Sequence, residues 1–104
     1  MTLRGESPSE HEILAIAVIL PNEGQEKECL ATIRELYSLL ERNRYSRDRL
    51  LRDVHDGRWI GVRYWASEKA RKEAQEDPEV QRIWERLGRL CTVEKVREQL
   101  EEIL

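Results

Sequence analysis

The chain has 104 residues, enough for one domain. Charged residues make up 38% of it and aromatic residues 6%, with no Phe. The formal charge of -3 argues against general nucleic-acid binding, which needs a basic surface. A chain of this size hides only about two thirds of its unfolded surface, so dimerisation would be a natural way to hide more. Cys29 and Cys91 are far apart and form no CxxC, which suggests neither a zinc site nor a disulfide scaffold. The longest apolar run, Ile13 to Leu20, is far short of the roughly 20 residues that span a bilayer. The first ten residues lack the pattern of a signal peptide. A cytoplasmic protein with reduced thiols is the expectation.

Residues 1–10 contain Gly5 and Pro8 without an apolar pattern and read as a flexible N-terminal arm. Residues 11–104 read as a single domain. The β-branched run 11–20, closed by Pro21-Asn22-Glu23-Gly24, predicts a strand buried on both faces. Cys29, Leu30, Ile33, Leu36, Tyr37 and Leu40 then recur at helical spacing, predicting an amphipathic helix over 25–42 with Asn43 as its terminator. Residues 49–55 and 58–66 flank Asp56-Gly57 and predict a hairpin with a two-residue turn. In its second arm Ile60, Val62 and Tyr64 point one way, and Trp59, Gly61, Arg63 and Trp65 the other. Ser67 and Asp77, the latter followed by Pro78, read as helix N-caps. The tail, 92–104, is ambiguous: Val93, Val96, Leu100 and Ile103 share a helical face, while Val96, Leu100 and Leu104 also fit a strand. Periodicity leans towards helix. The order β-α-β-β-α fits an α+β, ferredoxin-like β-α-β-β-α-β subunit if the tail supplies the last strand.

Three stretches carry a resemblance to a known family. They are Leu20-Pro21-Asn22-Glu23-Gly24-Gln25-Glu26, Leu51-Arg52-Asp53, and Tyr64-Trp65-Ala66-Ser67-Glu68-Lys69-Ala70 with the following Asp77-Pro78-Glu79-Val80. In these the chain resembles the antibiotic biosynthesis monooxygenases, over roughly residues 11–104. The resemblance implies a ferredoxin-like subunit, pairing of two subunits into a homodimeric α/β barrel, and a strand in the tail. It departs before the second strand, where members often have Pro-Gly and this chain has Arg44-Tyr45-Ser46-Arg47. Some members oxygenate polycyclic phenols without metal or organic cofactor; others cleave haem. The haem branch uses an Asn, a Trp and an iron-ligating His at positions that hold Ala17, Ala74 and Trp84 here. Indole cannot replace imidazole on iron, so haem cleavage is not expected.

Cofactor-free oxygenation needs a pocket for a flat aromatic, a means of removing a proton and donors for the developing oxyanion. Arg63 and His55 are the candidate catalytic residues, as oxyanion clamp and base. Tyr37, Trp59, Trp65 and Trp84 are the candidate substrate-binding walls. Each has a plainer reading. Arg63 pairs with a carboxylate, His55 is solvated beside a hairpin tip, Trp59 lies near the hairpin end, and Tyr37, Trp65 and Trp84 are core. His11 is a weaker base candidate, and neither His has a partner at metal-ligand spacing, so no metal site is expected. Cys29 and Cys91 read as small buried hydrophobes. The Arg42–Arg52 stretch, interleaved by Asp48 and Asp53, reads as a solvated, salt-bridged edge.

The expected function is a cofactor-independent monooxygenase acting on a small aromatic or polyketide-type substrate. The alternative is a non-catalytic dimeric barrel that binds a small metabolite or acts as an assembly module. A cavity of about 300 Å³ or more between helices and sheet is what a ligand site requires.

Overall fold

The computed structural model describes residues 11–104; the expected N-terminal arm lies outside the described residues. The elements are β1 (Ile13–Pro21), α1 (Glu26–Arg42), β2 (Ser46–Arg52), β3 (Trp59–Trp65), α2 (Glu68–Glu76), α3 (Pro78–Gly88) and β4 (Cys91–Leu100). The four strands form an antiparallel sheet in the order β2-β3-β1-β4. The helices cover one face, giving the α+β ferredoxin-like arrangement. No helix among the described residues is long and apolar enough to cross a membrane.

Strand register sorts the side chains. Ile13↔Trp65, Ala15↔Arg63, Ala17↔Gly61 and Ile19↔Trp59 are cross-strand partners, and β2 continues the same rows with Ser46, Asp48, Leu50 and Arg52. This set faces the helices, because Ile19 and Trp65 belong to the buried core and Ile13, Leu50 and Trp59 pack against it. From above, α1 contributes Cys29, Ile33, Leu36, Leu39 and Leu40, and α3 contributes Val80, Ile83 and Leu87. The alternate residues Leu14, Ile16, Val18, Ile60, Val62, Tyr64 and Leu51 form an apolar row set on the opposite face, which carries no helix.

The predicted caps form. Ser67 Oγ accepts from the Ala70 amide at 3.0 Å. Asp77 Oδ1 accepts from the Glu79 amide at 2.9 Å, with Pro78 opening α3. Asp77 also accepts from the Tyr45 hydroxyl at 2.8 Å, tying the start of α3 to the segment after α1. That hydrogen bond is the main cause holding the Asp77 carboxyl below its ordinary pKa.

Three local expectations are corrected. The hairpin is real, but its connection runs through residues 53–58 and is not a two-residue turn. The Gly57 amide reaches the Asp53 carbonyl at 2.7 Å, the Asp53 amide reaches the Arg58 carbonyl at 2.8 Å, and Asp53 and Asp56 carboxylates accept from the His55 and Arg58 amides. Two Asx side chains thus organise a longer loop, and only Gly57 takes positive φ, at 79°. β2 begins at Ser46, earlier than 49. The tail forms β4, so its helical lean does not hold.

α1 stops at Asn43 as predicted. Arg44 follows with φ 62°; its amide donates to the Glu41 carbonyl at 3.0 Å and the Tyr45 amide to the Leu40 carbonyl at 2.9 Å. This is a Schellman closure with arginine in the left-handed position that glycine ordinarily fills. A left-handed non-glycine residue costs roughly 1–2 kcal/mol. Arg44→Gly is therefore expected to raise stability by about 1 kcal/mol, net of the added freedom of glycine in the unfolded chain, as read by urea denaturation with an unchanged m-value.

Candidate functional site

The helix-facing rows of the sheet are small at their centre. Ala15, Ala17 and Gly61 cannot reach the helices, and a cavity of about 370 Å³ opens above them. Tyr37 of α1, Trp65 at the end of β3 and Trp84 of α3 supply its aromatic walls, with Ile33 and Leu36 beside them. Gly61 makes room for this packing. A Cβ there would lie 3.3 Å from Tyr37 Oη and 3.2 Å from Ile19 Cδ1, tighter than ordinary contact.

Arg63 enters the same cavity from β3. Its cross-strand partner on β2 is Asp48, whose side chain is only 1% exposed, and Arg63 Nε donates to Asp48 Oδ2. The second carboxylate oxygen accepts from Ser46 Oγ at 2.7 Å. The guanidinium carbon stands 5.1 Å from the Trp65 ring centre and 6.0 Å from that of Tyr37, within cation–π range. Arg63 is thus fixed by a carboxylate on one side and two aromatic faces on the other.

Tyr37 is mostly buried, and its hydroxyl makes no hydrogen bond to the other described residues. Burial pushes its pKa up to about 12; the Asp48 charge adds to the rise and the Arg63 charge opposes it. At neutral pH the phenol is therefore a protonated donor facing the cavity, not a base.

Four of the six candidates, Tyr37, Arg63, Trp65 and Trp84, thus line one cavity. The structure places the other two outside it. Trp59 begins β3 and packs against the core at the hairpin end, and His55 is exposed in the 53–58 loop. His11 lies near the start of β1, where its ring nitrogen is 3.0 Å from Glu101. Ala17 and Trp84, the positions compared with the haem branch, also line the cavity, while Ala74 is buried in α2. Among the described residues no group of three His, Cys, Asp or Glu side chains could hold a metal ion.

Sequence reading missed Asp48, Ser46, Arg71, Gln75, Lys95, Arg97 and Glu98. Asp48 is a correction: it is not part of a solvated edge but a buried partner of Arg63. Only the β2–β3 register reveals this, and it could be counted once β2 is known to start at Ser46. The surrounding arginines of the stretch are exposed. Arg47 pairs with Glu12 and lies over the Tyr64 ring at 4.0 Å. The cysteines, distant in sequence, meet in the core. Burial first, and then the Cys91 neighbour, pushes the Cys29 thiol up to about 12, which leaves no thiolate for nucleophilic use at neutral pH.

Removing one partner of the Asp48–Arg63 pair strands a buried charge, which typically costs about 3–5 kcal/mol. Asp48→Ala is expected to destabilise by at least about 3 kcal/mol, and adding Arg63→Met to recover more than half of the loss. Chemical denaturation of the two variants and the parent provides the comparison.

No family model and no curated protein matches the sequence. Solved structures do match. SnoaB, a cofactor-independent oxygenase from Streptomyces nogalater, is 18% identical; the match covers 90% of this chain and 97% of that chain with a TM-score of 0.74. Rv0793 from Mycobacterium tuberculosis is 15% identical over 89% of this chain and 99% of that chain, with a TM-score of 0.69. A candidate antibiotic biosynthesis monooxygenase from Bacteroides thetaiotaomicron is 12% identical over 92% and 97% of the two chains, with a TM-score of 0.69. At these identities the likeness is one of fold. The chain therefore has the fold seen in the antibiotic biosynthesis monooxygenases.

Proposed function

We propose that this protein is a small cofactor-independent monooxygenase acting on an aromatic or polyketide-type substrate. The observation that carries the reading is the cavity, in which Tyr37, Arg63, Trp65 and Trp84 converge around a space large enough for a fused-ring ligand. The fold shared with SnoaB supports the same class of activity.

In this reading the substrate is a hydroxylated aromatic ketone that can lose a proton to give an enolate or carbanion. Trp84, only partly buried, offers its ring as a stacking wall, and buried Trp65 closes the apolar side of the space. The protonated Tyr37 hydroxyl donates to the enolate oxygen, and the Arg63 guanidinium, held in place by Asp48, offsets the charge as it develops. The carbanion then supplies electrons to dioxygen. One oxygen atom stays on carbon as a new carbonyl and the other leaves as water, so a ring CH2 becomes C=O. Asp48 is occupied by Arg63 and Ser46 and acts as a positioning residue.

The test is oxygen uptake with a hydroxylated anthrone, compared with the rate without protein. Tyr37→Phe is expected to lower kcat about 100-fold, the usual loss of one oxyanion donor. Uptake no faster than the background, with the anthrone nevertheless bound, would leave the second reading, a metabolite-binding barrel without catalysis. One observation favours that reading: no histidine lines the cavity among the described residues.

The helix-free face of the sheet suits pairing with a second copy into an α/β barrel, because Ile16, Val18, Ile60, Val62 and Leu51 would otherwise face water. A cytoplasmic setting, in which Cys29 and Cys91 stay reduced, accords with this function. The expected native mass is twice 12.4 kDa. Ile60→Glu places a charge at the centre of that face and is expected to give a folded monomer by native mass spectrometry.

A further inference from the structure

Gly88 is the last residue of α3, and the local geometry does not call for a glycine there. Its φ is not positive, and Arg89 after it is right-handed at φ -88° and ψ -11°. The helix therefore does not end in the left-handed turn that glycine usually serves. Beyond its own helix, a Cβ at residue 88 would meet no atom of the described residues within 4 Å. Glycine in a helix is less favourable than alanine, because it loses more backbone freedom on folding. Gly88 thus weakens the helix without easing any contact. What sets it apart is its place: it is exposed, and it lines the cavity.

The cavity opens along β4. Residues 92–99 are all exposed, so the helix layer leaves this edge strand uncovered. Val93 pairs with Ile19 on the helix-facing side and is still 44% exposed. The two ends of the opening differ in character. Towards Glu98 it is bordered by charged side chains, with Arg71 held by Glu68 through Nε and Nη2, and Lys95 paired with Glu98 at 3.5 Å. An apolar ring passing there would strip water from ions, which is unfavourable. Towards Val93 the lining is apolar, and α3 presents Trp84 and, one turn later, Gly88. A helical side chain leans back over the preceding turn, so any side chain at residue 88 would lie towards the Trp84 ring.

We propose that ligands enter this cavity between Gly88 and Val93, and that the missing side chain at residue 88 sets the width of flat molecule that can pass onto Trp84. Gly88 is in this sense a specificity-determining residue. The inference rests on the reading of the cavity as a ligand site.

The experiment follows stopped-flow quenching of tryptophan fluorescence at pH 7 with two uncharged probes, two-ring 2-naphthol and three-ring 1-hydroxyanthraquinone. The parent protein is expected to bind both. Gly88→Leu is expected to slow association of the three-ring probe about tenfold, and that of the two-ring probe less than about threefold. Gly88→Gln, of similar length and suited to an exposed helical position, is expected to act in the same way. Gly88→Ala adds one methyl group in open space; it is expected to raise the Tm and leave both rates nearly unchanged. The double variant R71Q/E98Q, altered at the charged end, is expected to leave both rates unchanged. Unchanged rates in folded Gly88→Leu and Gly88→Gln overturn the entry route but leave the cavity standing. Slower association in R71Q/E98Q alone moves entry to the other end and overturns it equally. Failure of the parent to bind either probe overturns the cavity reading and this inference together.

Discussion

The cross-strand pair of Asp48 and Arg63 is the interaction on which the rest of the site depends. Charges are rarely placed on the face of a sheet that helices cover, because losing hydration costs more than a single contact returns. Here the cost is met in three ways: the carboxylate takes hydrogen bonds from Arg63 and Ser46, the guanidinium lies against two aromatic faces, and the row behind the pair is Ala15, Ala17 and Gly61. Those small residues are what keep the space open. A side chain at Gly61 would press on Tyr37 and Ile19.

The layers around it divide the work. The last turns of α1 and the first turns of α3 provide dense apolar packing through Leu39, Leu40, Val80 and Ile83, which hold the helices above the sheet. Near the cavity the same two helices offer Tyr37 and Trp84, which are only partly buried. Asn22 couples the far ends, since its amide reaches the Leu90 carbonyl at 2.8 Å and its side chain the Arg89 carbonyl at 3.0 Å. That contact joins the β1–α1 turn to the start of β4.

Much of this was legible in the residues, and the exceptions have specific causes. Alternation in β3 separated Arg63 and Trp65 from Tyr64 correctly, because that strand pairs without irregularity on both sides. The helix caps were legible because Ser67 and Asp77 act on backbone amides within a few residues. The tail was misleading for a physical reason. From Val93 to Leu100 β4 advances seven positions while β1 advances five, from Ile19 to Leu14. Val93 pairs with Ile19 on the helix-facing side and Leu100 with Leu14 on the other, so the apolar residues of β4 do not keep to one face and no two-residue repeat marks the strand. The hairpin was misjudged because Asp53, not Asp56-Gly57 alone, sets the loop. Asp48 was hidden because its partner is distant in sequence and its neighbours are all arginines that do stay in solvent. Local rules predict local structure, and the site is built from cross-strand register.

The same register constrains the chemistry available to the protein. A base for proton removal would have to be a free carboxylate or imidazole at the deep end, beside Tyr37 and Arg63. Asp48 is committed to Arg63 and Ser46, Tyr37 is held protonated, and no histidine reaches the space among the described residues. On the proposed function, the protein then favours ionisation by stabilising the product of proton loss, not by supplying a strong base. Donors aimed at an enolate oxygen lower the substrate's own pKa, so that water can take the proton. Such a site suits substrates already acidic near neutrality, whose anions are delocalised over fused rings and give up electrons to oxygen readily. A saturated ketone would find the same donors and stay protonated. Selectivity would therefore arise from acidity and flatness together, the two properties that a rigid guanidinium between aromatic walls can recognise.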